Sequence, residues 1–290
     1  MTTQFKIHRL CVIGVGLIGG SVARALRAVN AVDHIVGAGR DSAHLEKAKQ
    51  LGVIDEYNTD LAIAAKDADL ILIATPLGAI QATLQAIKPS VTDKTIITDV
   101  GSAKECVLEQ AKAVFGALPP RLVPGHPIAG TEKSGVEASF AELFQERRVI
   151  LSPQVQTDPA ALATVRDMWQ ACGASVIEMQ AHHHDQVLAA TSHLPHMLAY
   201  ALVDTLARMD DSQEIFEFAA GGFRDFTRIA SSDPAMWHDI FMANRKEIVK
   251  VLRAFNDDLH RLTKAVENGD SEFLKDTFTR AKKARDEFCG

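Results

Sequence analysis

The sequence predicts an α/β domain built on a mostly parallel sheet over residues 1–178, followed by an all-α domain over residues 179–290. Three observations carry this. Strand-like and helix-like segments alternate as far as Glu178. The first strand runs into a glycine-rich turn from which a helix-like segment departs directly. Beyond Gln180 no convincing strand occurs, and apolar residues fall at helical spacing instead. Strands alternating with helices imply a parallel sheet covered on both faces.

The elements follow in order. Residues 9–13 form a short apolar run ending in glycines, and residues 17–29 read as a helix. A second strand is expected over 34–38 and a second helix over 44–51. Residues 69–74, DLILIA, are continuously apolar, as suits a strand buried on both faces. Thr75-Pro76 then offers an N-cap with proline at the first helical position. Residues 95–99 and 149–151 are further strands, Asp158-Pro159 opens a helix, and 175–178 is the last strand. Residues 187–206 are helical by spacing, with Pro195 expected to kink them, because proline removes one i→i−4 hydrogen bond. Asp233-Pro234 starts another helix. Ile248, Leu252, Phe255, Leu259, Leu262 and Val266 then form a heptad-like stripe of about five turns. So long a stripe predicts a core or subunit interface, and with it a homodimer formed mainly through the helical domain. Gly269-Asp270 ends that helix and begins the last one.

Composition narrows the function. The 290 residues are 47% hydrophobic and 23% charged, as in a soluble globular protein, and suffice for two domains. A net charge of -6 argues against nucleic acid as a partner, since such proteins cluster Lys and Arg. The N-terminus lacks an apolar secretory segment and no run is long enough to span a membrane, so a cytoplasmic protein is expected. Cys11, Cys106, Cys172 and Cys289 are scattered without a CxxC pair and read as reduced thiols.

The glycine turn has a specific chemistry. Gly14, Gly16 and Gly19 stand in GxGxxG spacing. The first allows a tight turn, the second lets a pyrophosphate approach the backbone, and the third lets helix and strand pack closely. The helix N-terminus at Leu17, Ile18 and Gly19 then offers free N–H groups to an anion. After a strand and before a helix, this predicts a Rossmann-type dinucleotide-binding domain. An acidic ribose anchor belongs about twenty residues further on. There Gly39 occupies the place, followed by Arg40 and Asp41. An arginine suits a 2′-phosphate, so NADP is expected over NAD, with Ser42 and His44 as further donors. The alternative is that Asp41 turns inward or caps the next helix while Arg40 faces solvent. Thr75, Pro76 and Ser102, after later strands, complete the expected cofactor-binding set.

A second group of residues points to catalysis. Ser102 follows the strand ending at Asp99 and should lie at the carboxyl edge of the sheet, where ligands bind in such folds. In the segment GHPIAGTEKSG, Pro127 forces His126 out of helical geometry between flanking glycines, which describes a presented histidine. The tract His182-His183-His184 with Asp185 suggests a metal, yet successive residues point different ways and no second cluster has zinc spacing. It is read as a solvated helix start, and no metal is expected.

The segments DVGSAK from Asp99, GHPIAGTEKSG from Gly125, SHLPH from Ser192 and GGFRDFTRIASSDPAMW from Gly221 resemble the prephenate/arogenate dehydrogenases of tyrosine biosynthesis. The resemblance covers nearly the whole chain and describes a stand-alone catalytic unit without a fused mutase or regulatory domain. It implies an α/β Rossmann-type domain followed by an all-α dimerisation domain. It also implies oxidation of a cyclohexadienol, with hydride passing to NAD(P), loss of CO2 and aromatisation of the ring. On that resemblance His126 bonds the ring hydroxyl and assists its deprotonation, Ser102 orients His126 or the hydroxyl, and Arg228 binds a substrate carboxylate. His196 would line the substrate pocket, Thr131 and Glu132 would border its entrance, and Trp237 would stand near the site. Two alternatives stay open: another two-domain dehydrogenase, of the β-hydroxyacid dehydrogenase or imine reductase type, and a non-catalytic dinucleotide sensor. The first would show a catalytic lysine in its helical domain, and the second would lack the presented histidine and arginine. Prephenate and arogenate are not distinguished, although Glu132 could pair with the ammonium group of arogenate.

Overall fold

The computed structural model describes residues 5–131 and 133–289. The chain divides into two compact units, with the boundary between Asn244 and Arg245. The first contains β1 (Ile7–Ile13), α1 (Leu17–Ala28), β2 (Val32–Ala38), α2 (Ser42–Gln50), β3 (Glu56–Asn58), α3 (Leu61–Ala65), β4 (Leu70–Ile73) and α4 (Ile80–Ile87). It continues through β5 (Ile96–Asp99), α5 (Glu105–Phe115), β6 (Leu122–Val123), β7 (Gly125–Pro127), β8 (Arg148–Leu151), α6 (Pro159–Ala171) and β9 (Ser175–Glu178). The helices α7 (Ala181–Leu188), α8 (Leu194–Ala207), α9 (Ser212–Glu217), α10 (Gly221–Thr227) and α11 (Pro234–Ala243) complete it. The second unit is α12 (Arg245–Asn268) and α13 (Ser271–Cys289).

The principal sheet has the order β3-β2-β1-β4-β5-β6, all parallel. Its two faces bury alternate residues, as the period of two requires. Leu10, Val12, Leu70 and Leu72 pack into one core with Val22 and Leu26 of α1. Cys11, Ile13, Ile71 and Ile73 pack into the other with Ile80 and Leu84 of α4 and Val107 of α5. A doubly covered sheet with this strand order is the Rossmann arrangement, and its binding crevice opens at the carboxyl ends of β1 and β4.

The structure corrects several local expectations. The strands at 149–151 and 175–178 do not extend the main sheet. They form a separate sheet of order β7-β8-β9, antiparallel between β7 and β8 and parallel between β8 and β9. The short strands β3, β6 and β7 lack the apolar length that would show them in sequence. Thr75-Pro76 does not open a helix: Pro76 is extended at ψ 150 before a single 3-10 turn at Leu77–Ala79, and α4 begins only at Ile80. The helical run around Pro195 is interrupted as far as His193 by a π-helical turn, Ala189–His193, and Pro195 falls in the first turn of α8 that follows it. The Asp-Pro starts hold as expected, with the Asp158 side chain accepting from Ala160 N and that of Asp233 from Met236 N.

In the second unit, Gly269 sits at φ 64, and the Asp270 side chain caps α13 by accepting from Phe273 N. Along the α12 stripe Leu259 and Val266 remain 50% and 67% exposed. No described helix is long and apolar enough to cross a membrane.

Candidate active site

The glycine turn is built as its spacing requires. Gly14 has φ 94, and a Cβ there would lie 2.5 Å from the Ala74 carbonyl oxygen. A Cβ on Gly19 would lie 2.3 Å from the Gly14 carbonyl oxygen. At Gly16 nothing would lie within 4 Å, so its missing side chain leaves open space beside the N-terminus of α1. Gly16 is also the N-cap residue and no side chain caps the helix, which leaves the N–H groups of Leu17, Ile18 and Gly19 toward that space. Thr75 Oγ1, just past β4, is a buried polar atom without a partner among the described residues. An open glycine cradle, an uncapped helix start and an orphaned hydroxyl at one sheet edge fit a dinucleotide pyrophosphate.

At the end of β2, Gly39 is half-buried and Arg40 is exposed. Asp41 is the N-cap of α2, its Oδ1 accepting from Ala43 N at 2.9 Å and His44 N at 3.1 Å. His44 Nε2 lies 2.9 Å from the Val15 carbonyl oxygen, tying α2 to the glycine turn.

The catalytic candidates lie on β5, β7 and α7. His126, in β7, is 8% exposed, and its Nδ1 lies 2.8 Å from His184 Nε2. His184 Nδ1 lies 2.8 Å from Asp185 Oδ1. Asp185 also accepts from the backbone at the start of α5, Lys104 N to Oδ1 at 2.7 Å and Glu105 N to Oδ2 at 2.9 Å. Lys104 itself is wholly buried; its Nζ bonds Asp99 and donates to the Gly125 carbonyl at 2.7 Å. Asp99 accepts from Gly101 N at 2.8 Å and Gly125 N at 3.3 Å. The carboxyl end of β5, the strand carrying His126 and the start of α7 are thereby locked together.

Burial holds the His126 pKa well below its ordinary value, and the nearby His184, Lys104 and His193 push it the same way. Burial also lowers that of His184, against the pull of Asp185. At Asp185 burial opposes ionisation, yet the hydrogen bonds from His184, Lys104 and Glu105 outweigh it, and the net direction is down. The site is therefore two neutral imidazoles beside an ionised carboxylate.

The substrate candidates form a second cluster. The rings of His196 and Trp237 stack with centroids 3.6 Å apart, and His193 meets Trp237 edge-on at 6.0 Å. His196 Nδ1 is 2.8 Å from the Ser192 carbonyl oxygen, which it can only donate to. Burial lowers the His196 pKa, the bond to Ser192 opposes this, and the Arg228 cation lowers it further, which puts Arg228 within electrostatic reach. His193 joins the two clusters: its Nδ1 lies 3.2 Å from Asn244 Nδ2, which donates to the Asp185 carbonyl at 2.8 Å. The buried nitrogens His193 Nε2 and Trp237 Nε1 have no partner among the described residues.

Other expectations fare differently. Ser102 is half-buried in the turn after β5, but the His126 Nδ1 partner is His184 rather than Ser102. Thr131 is exposed, with Oγ1 accepting from Lys133 N at 3.2 Å. Glu132 lies outside the described residues. The tract at 182–184 is not uniformly solvated, since His182 and His183 are exposed while His184 is fully buried. No metal-binding cluster occurs among the described residues. Burial pushes the Cys11, Cys106 and Cys172 thiols up to about 12, so none is a nucleophile at neutral pH. Reading the sequence missed His184, Asp185, Lys104 and Asn244. One signal was available: Ala181, His184, Asp185 and Leu188 share one face of a helix.

A Rossmann sheet with an open glycine cradle, and a buried neutral histidine bonded into its carboxyl edge, define a nicotinamide-dinucleotide-dependent dehydrogenase. Comparison with known proteins narrows the class. Residues 22–178 match the family model described as prephenate dehydrogenase, nucleotide-binding domain, and residues 180–280 match that of the prephenate dehydrogenase dimerization domain. The chain belongs to the prephenate dehydrogenase family. It is 38% identical to the cyclohexadienyl dehydrogenase of Zymomonas mobilis over 286 residues, covering 98% of this chain and 96% of that protein. The prephenate dehydrogenase of Aquifex aeolicus, solved with hydroxyphenyl propionate and NAD+, superposes with a TM-score of 0.92. That match is 35% identical and covers 99% of this chain and 100% of the other. The arogenate dehydrogenase of Synechocystis follows at TM-score 0.80 and 29% identity, over 97% and 99% of the two chains. Like its family, the chain is an oxidoreductase that decarboxylates a cyclohexadienol of the prephenate or arogenate type, with NAD(P) as hydride acceptor.

Proposed function

We propose that His126 is the general base of this oxidative decarboxylation, in a chain whose residues 1–178 hold the dinucleotide and whose residues 179–290 supply substrate contacts and the dimer interface. The observation that carries this reading is His126 itself: buried, neutral, and fixed at the carboxyl edge of the sheet. A neutral imidazole can take the proton of the ring hydroxyl as hydride leaves the same carbon. When bound, the nicotinamide supplies the hydride acceptor. Gly14, Gly16, Gly19, Thr75, Pro76 and Ser102 hold the dinucleotide. Arg228, within electrostatic reach of His196, receives a substrate carboxylate, which its guanidinium suits bidentately, while His196, stacked on Trp237, lines the pocket. Thr131 borders the entrance.

NADP is the preferred cofactor on this reading. Asp41 Oδ1 is engaged as a helix cap, and Arg40, exposed beside it, offers its guanidinium to a 2′-phosphate. The exposed part of the α12 stripe, Leu259 and Val266, is suited to cover by a second copy of the chain. The test is reduction of NAD and NADP at 340 nm with prephenate and with arogenate. His126→Asn should lower kcat on the order of 10²–10⁴-fold with cofactor KM nearly unchanged. Arg40→Ala should lower kcat/KM for NADP alone. A His126→Asn enzyme retaining most of its kcat would end the assignment, and a wild type favouring NAD would end the NADP preference.

A further inference from the structure

The hydrogen-bond chain behind His126 runs in one direction only. It starts at two backbone N–H groups, those of Lys104 and Glu105, which can donate but never accept. Both donate to Asp185, whose carboxylate, once ionised, accepts on either oxygen and donates from neither. The third contact to that carboxylate, from His184 Nδ1 at 2.8 Å, must therefore carry its hydrogen on the imidazole. A neutral imidazole holds one N–H, so His184 Nε2 is bare and accepts. Its partner at 2.8 Å is His126 Nδ1, which must then be the donor. The remaining nitrogen of His126, Nε2, is left with a lone pair.

We propose that His184 and Asp185 are positioning residues for the reaction: through this one-way chain they hold His126 in the tautomer protonated at Nδ1 and present a bare Nε2 to the substrate hydroxyl. The proposal rests on His126 being the general base. Without the chain, His126 would divide between two tautomers and its ring would lose its fixed orientation, so only part of the enzyme would carry a base facing the substrate. The surroundings support the arrangement. The groups facing this pair are the Lys104 ammonium, bonded to Asp99, the Asp185 carboxylate, and His193, whose Nδ1 faces Asn244. Lys104 and His193 both disfavour a second proton on His126, while Asp185 favours a proton on His184. The same Asp185 ties α7 to the start of α5, so the orientation of His126 is set by the junction of two helices rather than by its own loop.

Three variants and one spectrum test this on the full-length enzyme. His184→Leu removes the acceptor. It should lower kcat on the order of 10²-fold, with substrate and cofactor KM within about twofold of wild type. His184→Gln can accept from His126 through its carbonyl and donate to Asp185 through its amide, so it should recover kcat to within about tenfold. A residue needed only for packing would not show that order of effects. In enzyme labelled with 15N-histidine, the resonance lost in His126→Asn should report the Nδ1–H tautomer in wild type and a mixture in His184→Leu. A wild-type His126 protonated at Nε2 would overturn the proposal, as would His184→Leu with full kcat. An active His126→Asn would overturn the general-base reading instead, whatever His184 does. Should His184→Leu not fold, the wild-type spectrum and the glutamine variant decide the matter.

Discussion

Replacing Lys104 with Met removes one half of an ion pair that has no solvent to fall back on. Lys104 and Asp99 side chains are 0% and 1% exposed. At the surface such a pair contributes about 1 kcal/mol at most. Here the carboxylate of Asp99 would stay buried with only the N–H groups of Gly101 and Gly125, and the Gly125 carbonyl would lose its ammonium donor. A buried charge stripped of its partner costs about 3–5 kcal/mol, because desolvation is no longer offset. For a unit of this size that is a fall in melting temperature of about 6–20 °C. The double variant Lys104→Met/Asp99→Asn removes the charge as well and should recover at least about 1 kcal/mol of the loss. The assay is thermal unfolding by circular dichroism at fixed protein concentration, since oligomerisation shifts the midpoint. If Lys104→Met melts within about 2 °C of wild type, or the double variant is no more stable than the single one, the ion pair is not the lock between β5 and β7.

The two glycines of the turn should separate stability from binding. Gly19→Ala forces a Cβ to 2.3 Å from a backbone oxygen and should lower the melting temperature. Gly16→Ala meets nothing within 4 Å and should melt like wild type while raising cofactor KM on the order of tenfold, as steady-state kinetics would show. Arg228→Gln should raise KM for the dienol substrate roughly 10–100-fold and leave cofactor KM alone, since a charge-assisted bond is lost; a fall in cofactor affinity instead would move Arg228 to another subsite. Acid should destabilise the fold through His193, whose pKa burial lowers from 6.5 to about 4. Between those values the unfolded chain binds the proton and the folded one does not, so stability is full above pH 6.5 and declines toward pH 4, by about 3 kcal/mol from this group. Urea midpoints across that range should show the decline, and His193→Gln should lessen it while the lowered His126, His184 and His196 keep the remainder.

The residues that act through short-range rules are legible in the amino-acid sequence alone. Gly14 and Gly19 have no alternative at their positions, because a Cβ would strike backbone, and that steric demand is written in their spacing. The strand at Leu70–Ile73 shows itself by its continuous apolar run, and Asp158 and Asp233 mark helix starts by their own capping bonds. His126 is visible because Pro127 restricts its backbone. The tertiary structure decides what surrounds it. Helical spacing places His184 on the face of Ala181 and Leu188, but only the packing of α7 against α5 turns that face inward and leaves His182 and His183, about 100° apart on the helix, in solvent. Asp99, at the end of a strand, and Lys104, in the turn after it, read as separate charges until Gly125 closes over them from another strand. The strand partners of β8 and β9 are likewise unreadable, because the choice of sheet depends on β7, three residues long, arriving antiparallel from the active-site loop. Steric limits on a turn belong to the sequence; the tautomer of a buried histidine belongs to groups brought to it across 58 residues of chain, and only folding puts them in contact.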